Sequence, residues 1–196
     1  MVAYPPDREH YEIKDERGTL ILRVNREKGD PDETPVGTIK QALGSMFLDN
    51  LPIELTKHVF ELTQSKFVFE ATDGKRQGTI QRRMIGMKYV VYDSQRDLTA
   101  TIRPVELVEG LKYRIDDPQG RRLAESDDVV TSLSYRILSP MGMVIADVYR
   151  SGSGNINIKN IYVFDPSFDP FLIYCYVIAV DNAIYLQQAT SGWNRS

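Results

Sequence analysis

Five basic side chains within a span of fifteen residues are the groups in this sequence best suited to bind an anion. They occur in the segment GKRQGTIQRRMIGMK, which contains no acidic residue, and they are Lys75, Arg76, Arg82, Arg83 and Lys88. Ammonium and guanidinium groups donate charged hydrogen bonds to phosphate oxygens, and the planar guanidinium can donate two of them side by side. The segment therefore predicts a site for phosphate groups, such as those of anionic lipid headgroups, on one edge of the folded chain.

A solvated protein face is the alternative interpretation of the same segment. In an undisturbed strand Arg82 and Arg83 point to opposite faces, so they would not act on one surface. Neighbouring strands can also supply acidic side chains that compensate the positive charge. The apolar residues near the end of the segment, Met84, Ile85 and Met87, instead favour contact with a lipid surface.

Neither a catalytic centre nor a metal site is predicted. His10 and His58 form no Cys/His or Ser/His arrangement of the kind that activates a nucleophile. Cys175 lies inside an apolar run, where a thiol serves as a small core group. Asp165 and Asp169 are each followed by proline, which is typical of a turn and of a helix start rather than of a calcium site rich in oxygen ligands. We expect a protein that is not an enzyme and holds no cofactor.

The composition indicates a single globular domain. The chain has 196 residues, 26% of them charged, and a formal net charge of -3, so it has no general attraction to nucleic acid. Its single cysteine excludes an intrachain disulfide, which favours a cytoplasmic protein. The N-terminal residues lack the apolar region of a secretory signal and no lipidation motif is evident, so we expect any membrane association to be peripheral.

Five segments share the pattern of a β-hairpin. They are Tyr11–Val24, Phe67–Ile80, Tyr89–Ile102, Tyr113–Leu123 and Tyr135–Val148. Each opens with an aromatic residue and alternates apolar and polar positions, as a strand with one buried face does. A glycine follows seven residues after the aromatic in every copy but the third, which has Arg96, and aspartates occupy the turns of four copies. Asp and Gly supply the hydrogen bonds and the positive φ of tight turns, so these segments predict ten strands.

Two further segments, Pro35–Gln41 and Asn155–Asp165, also look extended and bring the predicted count to about twelve strands. Pro52–Gln64 has the apolar spacing of a short helix, with an irregular excursion as the alternative. The other predicted helix is DPFLIYCYVIAVDNAIYL, whose ten residues from Phe171 to Val180 carry no polar group except tyrosine hydroxyls. A membrane span takes about 20 apolar residues, so this run is too short to be one.

The Asp-Pro pair at the start of this run is a typical helix N-terminus, although its β-branched residues leave a buried strand as the competing interpretation. A helix that is apolar on every side must be enclosed, and roughly eleven strands are needed to enclose it. The sequence thus predicts an all-β fold with one central helix, a closed antiparallel β-barrel of about twelve strands around a C-terminal helix at Phe171–Leu186.

The sequence resembles the tubby C-terminal-like superfamily, and within it the LURP-one-related and phospholipid scramblase families. Its opening YEIKDERGTLILRV is similar to the first hairpin of scramblases, and IYVFDPSFDPFLIYCYVIAVDNAIY is similar to the end of LURP-one proteins. The resemblance covers about residues 11–187 and implies a closed barrel, usually of twelve strands, around a central helix. Tubby proteins bind phosphoinositides through basic residues, although those residues do not align one by one with positions in this chain.

Scramblases also carry a proline-rich N-terminal tail, a cluster of palmitoylated cysteines and an acidic calcium segment. This sequence has one cysteine and only Asp165 and Asp169 in place of the acidic segment, which argues against scramblase activity and calcium dependence. We therefore expect a cytoplasmic, non-catalytic barrel domain that binds anionic phospholipid peripherally, with a scaffold for a protein partner as the alternative. The domain is predicted over residues 11–188, with loose tails at 1–10 and 189–196.

Overall fold

The computed structural model describes residues 1–4, 10–28, 65–83, 88–106, 112–127, 134–151 and 157–191, which form twelve strands and one helix. The strands are β1 Val2–Tyr4, β2 His10–Lys14, β3 Leu20–Lys28, β4 Ser65–Ala71, β5 Arg76–Arg83, β6 Lys88–Asp93, β7 Leu98–Glu106, β8 Lys112–Asp116, β9 Arg122–Ser126, β10 Ser134–Leu138, β11 Val144–Ser151 and β12 Asn157–Val163, and the helix is α1 Pro170–Ser191. The five predicted hairpins are confirmed. The predictions at Pro35–Gln41 and Pro52–Gln64 lie outside the described residues.

Each strand pairs with the next one antiparallel, and the first strand closes the sheet into a barrel. Strand β1 pairs with both β2 and β12, with Val2 opposite Ile13 on one side and Lys159 on the other. This placement differs from the loose tail predicted over residues 1–10, since Val2 is completely buried in the barrel. A strand of three residues is too short to show the alternation from which the other strands were predicted.

Five tight turns join the strands of the predicted hairpins at one end of the barrel, here called the turn end. Four of them have a glycine with a φ of about 80°, at Gly18, Gly74, Gly120 and Gly142, and the third has Arg96 with a φ of 72°. In three of the turns the first residue is an aspartate that accepts hydrogen bonds from the turn's own backbone, as Asp117 Oδ1 does from the N–H groups of Gln119 and Arg121. The departure in the third copy therefore leaves the turn geometry unchanged and places a non-glycine residue in the left-handed region.

The aromatic residue that opens each hairpin faces the interior and packs around the helix. Tyr11, Phe67, Tyr89, Tyr113 and Tyr135 are all buried. The helix is buried over most of its described length, and its Tyr176 hydroxyl donates a 3.0 Å hydrogen bond to the backbone carbonyl of Tyr113. The core is thus a ring of strand side chains closed around an apolar helix, as the helix pattern predicted.

The helix begins at the turn end, where Asp169 Oδ1 accepts a 2.9 Å hydrogen bond from the backbone N–H of Phe171. Phe171 packs against Phe69 on β4, with ring centroids 5.1 Å apart, and lies directly over Gly78 on β5. The helix then runs through the barrel and extends to Ser191, beyond the predicted end at Leu186. No helix in the described ranges combines the length and the apolarity needed to cross a membrane.

A candidate anion site at the distal end of the barrel

The five basic residues of the segment from Gly74 to Lys88 do not form one surface. Lys75 and Arg76 lie at the turn end, whereas Arg82, Arg83 and Lys88 lie where β5 ends and β6 begins, at the opposite end of the barrel, here called the distal end. Strand β5 spans seven residue steps from Arg76 to Arg83, which at about 3.3 Å per step separates the two groups by about 23 Å. A ligand of headgroup size cannot contact both.

Acidic residues surround the two cations at the turn end. Arg76 lies opposite Glu70 on β4, and Asp73, in the turn before β5, accepts a 2.9 Å hydrogen bond from the backbone N–H of Lys75. The adjacent turns also have aspartates at their first or last positions, namely Asp15, Asp93, Asp97 and Asp117. The positive charge of Lys75 and Arg76 is therefore offset locally, and the turn end is a poor site for an anion.

Arg82 lies inside the barrel. It shares the inner face of β5 with Gly78 and Ile80, and it pairs across to Tyr89 on β6, which is completely buried. Its side chain is only partly exposed, and its Nε and Nη1 atoms are buried without an acceptor among the described residues. Buried guanidinium groups normally have all their donors satisfied, so this one has binding capacity left for an anionic ligand.

The environment of the Tyr89 hydroxyl shows which groups converge on this point. Burial raises the pKa of Tyr89 well above its ordinary value, against the opposing influence of the Arg82 and Arg26 charges and with the support of Asp181 on α1. Burial also raises the pKa of Tyr113 to about 12, again against the influence of Arg82. Both tyrosines are therefore protonated at neutral pH and can donate hydrogen bonds to an anion.

Two arginines and one carboxylate face this part of the interior. Arg26 lies on the same face of β3 as the buried residues Leu22 and Val24. Asp181 on the helix accepts a 3.4 Å hydrogen bond from the hydroxyl of Tyr11. Asp181 therefore supplies one negative charge against the two positive charges of Arg26 and Arg82. Arg26 and Asp181 both take part in further interactions, so Arg82 is the interior cation whose unused donors could serve a bound anion.

Arg83 and Lys88 lie on the outer face of the same edge. They are direct partners across β5 and β6, and Arg83 Nη2 donates a 3.2 Å hydrogen bond to the hydroxyl of Tyr92. The distal end of the β5–β6 pair therefore has Arg82 on its inner side and two neighbouring cations on its outer side.

The remaining sequence candidates occupy ordinary structural positions. His10 lies on the exposed surface, with Nδ1 3.0 Å from Oδ1 of Asn25. Cys175 is buried in the helix, and burial raises its pKa well above the ordinary value, so that the thiol stays protonated. Asp165 organises a turn by accepting hydrogen bonds from Ser167, and Asp169 caps the helix. His58 lies outside the described residues, and those that are described contain no group of three metal-ligating side chains.

Sequence reasoning missed two interior cations, Arg26 and Lys159, whereas Asp181 stood out in the sequence as a carboxylate within the apolar helix. Arg26, Lys159 and Asp181 all lie among buried apolar residues, and Lys159 and Asp181 are almost completely buried. The sequence did contain a signal for the position of Arg26, because it follows Leu22 and Val24 at spacings of two. Residues at that spacing share one face of a strand, so the pattern predicts that the Arg26 side chain points into the barrel. A basic residue in the apolar phase of a strand is therefore a more specific indication of an interior site than a cluster of charges along the chain.

Comparison with known proteins supports the fold and goes no further. No protein-family model matches the chain, and no curated protein matches it. Among solved structures, the X-ray structure of the Arabidopsis thaliana protein AT5G01750 is similar, with a TM-score of 0.55 over 93% of this chain and 89% of that chain. The two sequences are 16% identical, so the similarity shows a shared fold alone.

Proposed function

We propose that this protein is a non-catalytic, tubby-like barrel related to the LURP-one and scramblase families, and that it binds phosphorylated, anionic lipid headgroups peripherally at its distal end. The observation that carries the proposal is the placement of three cations around one edge, with Arg82 inside the barrel and Arg83 beside Lys88 outside it. Charged donors placed together in this way favour a bound anion. The role belongs to a cytoplasmic protein that visits a membrane surface.

The expected strength of this association is modest. Each Lys or Arg close to an anionic membrane contributes about 1 kcal/mol, so three give roughly 3 kcal/mol before the chain's net negative charge is considered. The binding should therefore be reversible and sensitive to salt. The Debye length falls from about 10 Å at 0.1 M salt to about 3 Å at 1 M salt, so the outer cations lose most of their effect over that range.

Vesicle sedimentation tests the proposal, with a matched control that the chain itself provides. We expect wild-type protein to pellet with phosphatidylcholine vesicles that contain phosphatidylinositol bisphosphate, and Arg83→Glu/Lys88→Glu to remain in the supernatant. Lys75→Glu/Arg76→Glu makes the same change of charge at the turn end and should pellet like wild type. Equal loss of binding in both double variants would show that net charge, rather than the distal end, governs the association.

A scaffold for a protein partner is the second candidate, and a different surface favours it. Large apolar side chains are exposed on the turn between β10 and β11 and after β12, including Met141 at 81% and Phe164 at 59% exposure. Nearby, Tyr149 and Tyr162 stack in the open with ring centroids 5.0 Å apart. Exposed apolar groups of this kind often mark protein contacts. Wild-type protein that ignores every anionic vesicle would favour this alternative, with a phospholipid scramblase the least favoured function.

A further inference from the structure

We infer that Arg82 is the specificity-determining residue of an internal anion socket, in which one phosphate group enters the distal mouth of the barrel and accepts hydrogen bonds from the Arg82 guanidinium. This inference rests on the proposed function and assigns different tasks to the inner and outer cations. Arg83 and Lys88, on the outer face, attract any anionic surface. Arg82, on the inner face, selects ligands whose phosphate extends far enough to enter the barrel.

The first argument is the unsatisfied state of Arg82. Two of its nitrogen atoms are buried and have no acceptor among the described residues. The nearby Tyr89 hydroxyl, on the partner position of β6, is buried and likewise has no partner in that part of the chain. An arginine and a tyrosine that both keep donors unused, side by side, lack an acceptor, and a phosphate oxygen would supply one.

The second argument is the contrast with the arginines of the outer face. Arg103 donates to Asp116 across 2.6 Å, and Arg114 lies 2.9 Å from the other oxygen of the same carboxylate. Arg136 likewise donates to Asp127 across 2.8 Å. The fold thus provides carboxylates for arginines where they have a structural task. No carboxylate of the described chain is within hydrogen-bonding distance of the two buried nitrogens of Arg82.

The third argument is access. Arg82 is the last inward-facing residue of β5, one position before the strand ends, and its side chain is partly exposed. Because Nε and Nη1 are themselves buried, a phosphate that binds them must approach past the exposed part of the side chain and displace the groups that cover these two atoms. The phosphate can belong to a lipid headgroup at the membrane or to a small soluble phosphate compound, because the guanidinium contacts only the phosphate.

Thermal unfolding without ligand distinguishes a ligand-binding arginine from a structural one. Arg82→Met removes a buried charge that has no acceptor, so we expect its Tm to equal or exceed that of the wild type. Arg103→Met is the matched control, since it leaves Asp116 buried with one partner fewer, and its Tm should fall. A fall in Arg82→Met as large as that in Arg103→Met would overturn the inference, because it would show that Arg82 already has an internal partner.

Ligand binding supplies the second readout. We expect soluble inositol trisphosphate to raise the Tm of the wild type, and Arg82→Met to bind it about ten- to a hundredfold more weakly, the value of a charge-assisted hydrogen bond. Arg83→Met should lose only a few-fold. Arg82→Lys keeps the charge but not the fork of donors, so it should fold normally and bind with intermediate strength. Unchanged binding of inositol trisphosphate by Arg82→Met would overturn the inference.

The source of the phosphate is resolved by two further arms. With vesicles of equal surface charge, wild type should prefer phosphatidylinositol bisphosphate to phosphatidylserine, and Arg82→Met should bind both equally weakly. If inorganic phosphate alone reproduces the rise in Tm at similar concentration, the ligand is a small phosphate compound and the socket is still supported. If wild type binds no anionic vesicle, the proposed membrane role fails, while the response to inositol trisphosphate still decides the role of Arg82.

Discussion

Substitution of Gly78 by alanine tests how closely the helix is held against the barrel wall. A Cβ at this position would lie 2.5 Å from Cζ of Phe171 on the helix and 2.5 Å from the backbone carbonyl oxygen of Tyr92 on β6. The phenyl ring can move aside at little cost, but a carbonyl within a strand pair cannot. Forcing an extra carbon into a packed core costs about 1–3 kcal/mol, and replacing a strand glycine returns about 0.5–1 kcal/mol.

The free energy of unfolding should therefore fall by about 1–2 kcal/mol, which for a domain of this length lowers the Tm by roughly 2–8 °C. Urea denaturation of Gly78→Ala, Phe171→Ala and the double variant measures how far the free energy of unfolding falls and whether the contact with Phe171 causes it. Because removal of the ring relieves one of the two contacts, we expect the double variant to be more stable than the sum of the single effects by at least about 0.5 kcal/mol. Strict additivity, or a Gly78→Ala protein as stable as wild type, would refute this placement of the helix.

Three further changes probe other parts of the fold. Arg96→Gly should raise the Tm, because a non-glycine residue at a φ of 72° is strained by about 1 kcal/mol, and an unchanged or lower Tm in calorimetry would contradict that strain. Asp117→Asn should lower the Tm at neutral pH, and this difference should shrink as the pH falls below the ordinary pKa of an aspartate. Burial alone would raise the pKa of Asp117, but the backbone and side-chain hydrogen bonds and the charge of Arg121 together hold it below its ordinary value. The stability that the Asp117 carboxylate contributes is therefore present above the ordinary pKa of aspartate and is lost as the pH falls through the lowered pKa. A difference in Tm between Asp117→Asn and wild type that stays constant with pH would contradict this assignment. Ile178→Asp places an unpaired carboxylate in the centre of the core and should abolish soluble expression, whereas a folded variant with the wild-type Tm would show that the helix is not central.

The architecture was predictable because its signals are local and repeated. Each hairpin carries its own aromatic, its own alternation and its own turn residue, so even Arg96 could be assigned to a glycine position from the spacing of the other copies. The helix was predictable for a different reason, since a segment that is apolar on every side permits few arrangements other than enclosure. Strand β1 was missed because three residues carry no period and its pairing with β2 and β12 is decided by the closure of the barrel.

The candidate site was less predictable, because closeness along a strand is not closeness on a surface. Lys75 and Lys88 are thirteen positions apart in sequence, yet they lie at opposite ends of β5 and β6. The opposite directions of Arg82 and Arg83 did follow from strand geometry. What could not be predicted was which groups surround Arg82 and Tyr89, since Tyr113 and Asp181 come near this pair only when the barrel closes around the helix.

An NMR titration that observes arginine Nε–H groups tests the central claim most directly, because it reports on the atom that has no acceptor. On addition of inositol trisphosphate, the Nε–H resonance of Arg82 should shift and exchange more slowly with water, while that of Arg103, which is already bound to Asp116, should stay in place. An Arg82 resonance that does not respond while the ligand binds elsewhere, or equal shifts of all the arginines, would contradict an anion site at the distal end.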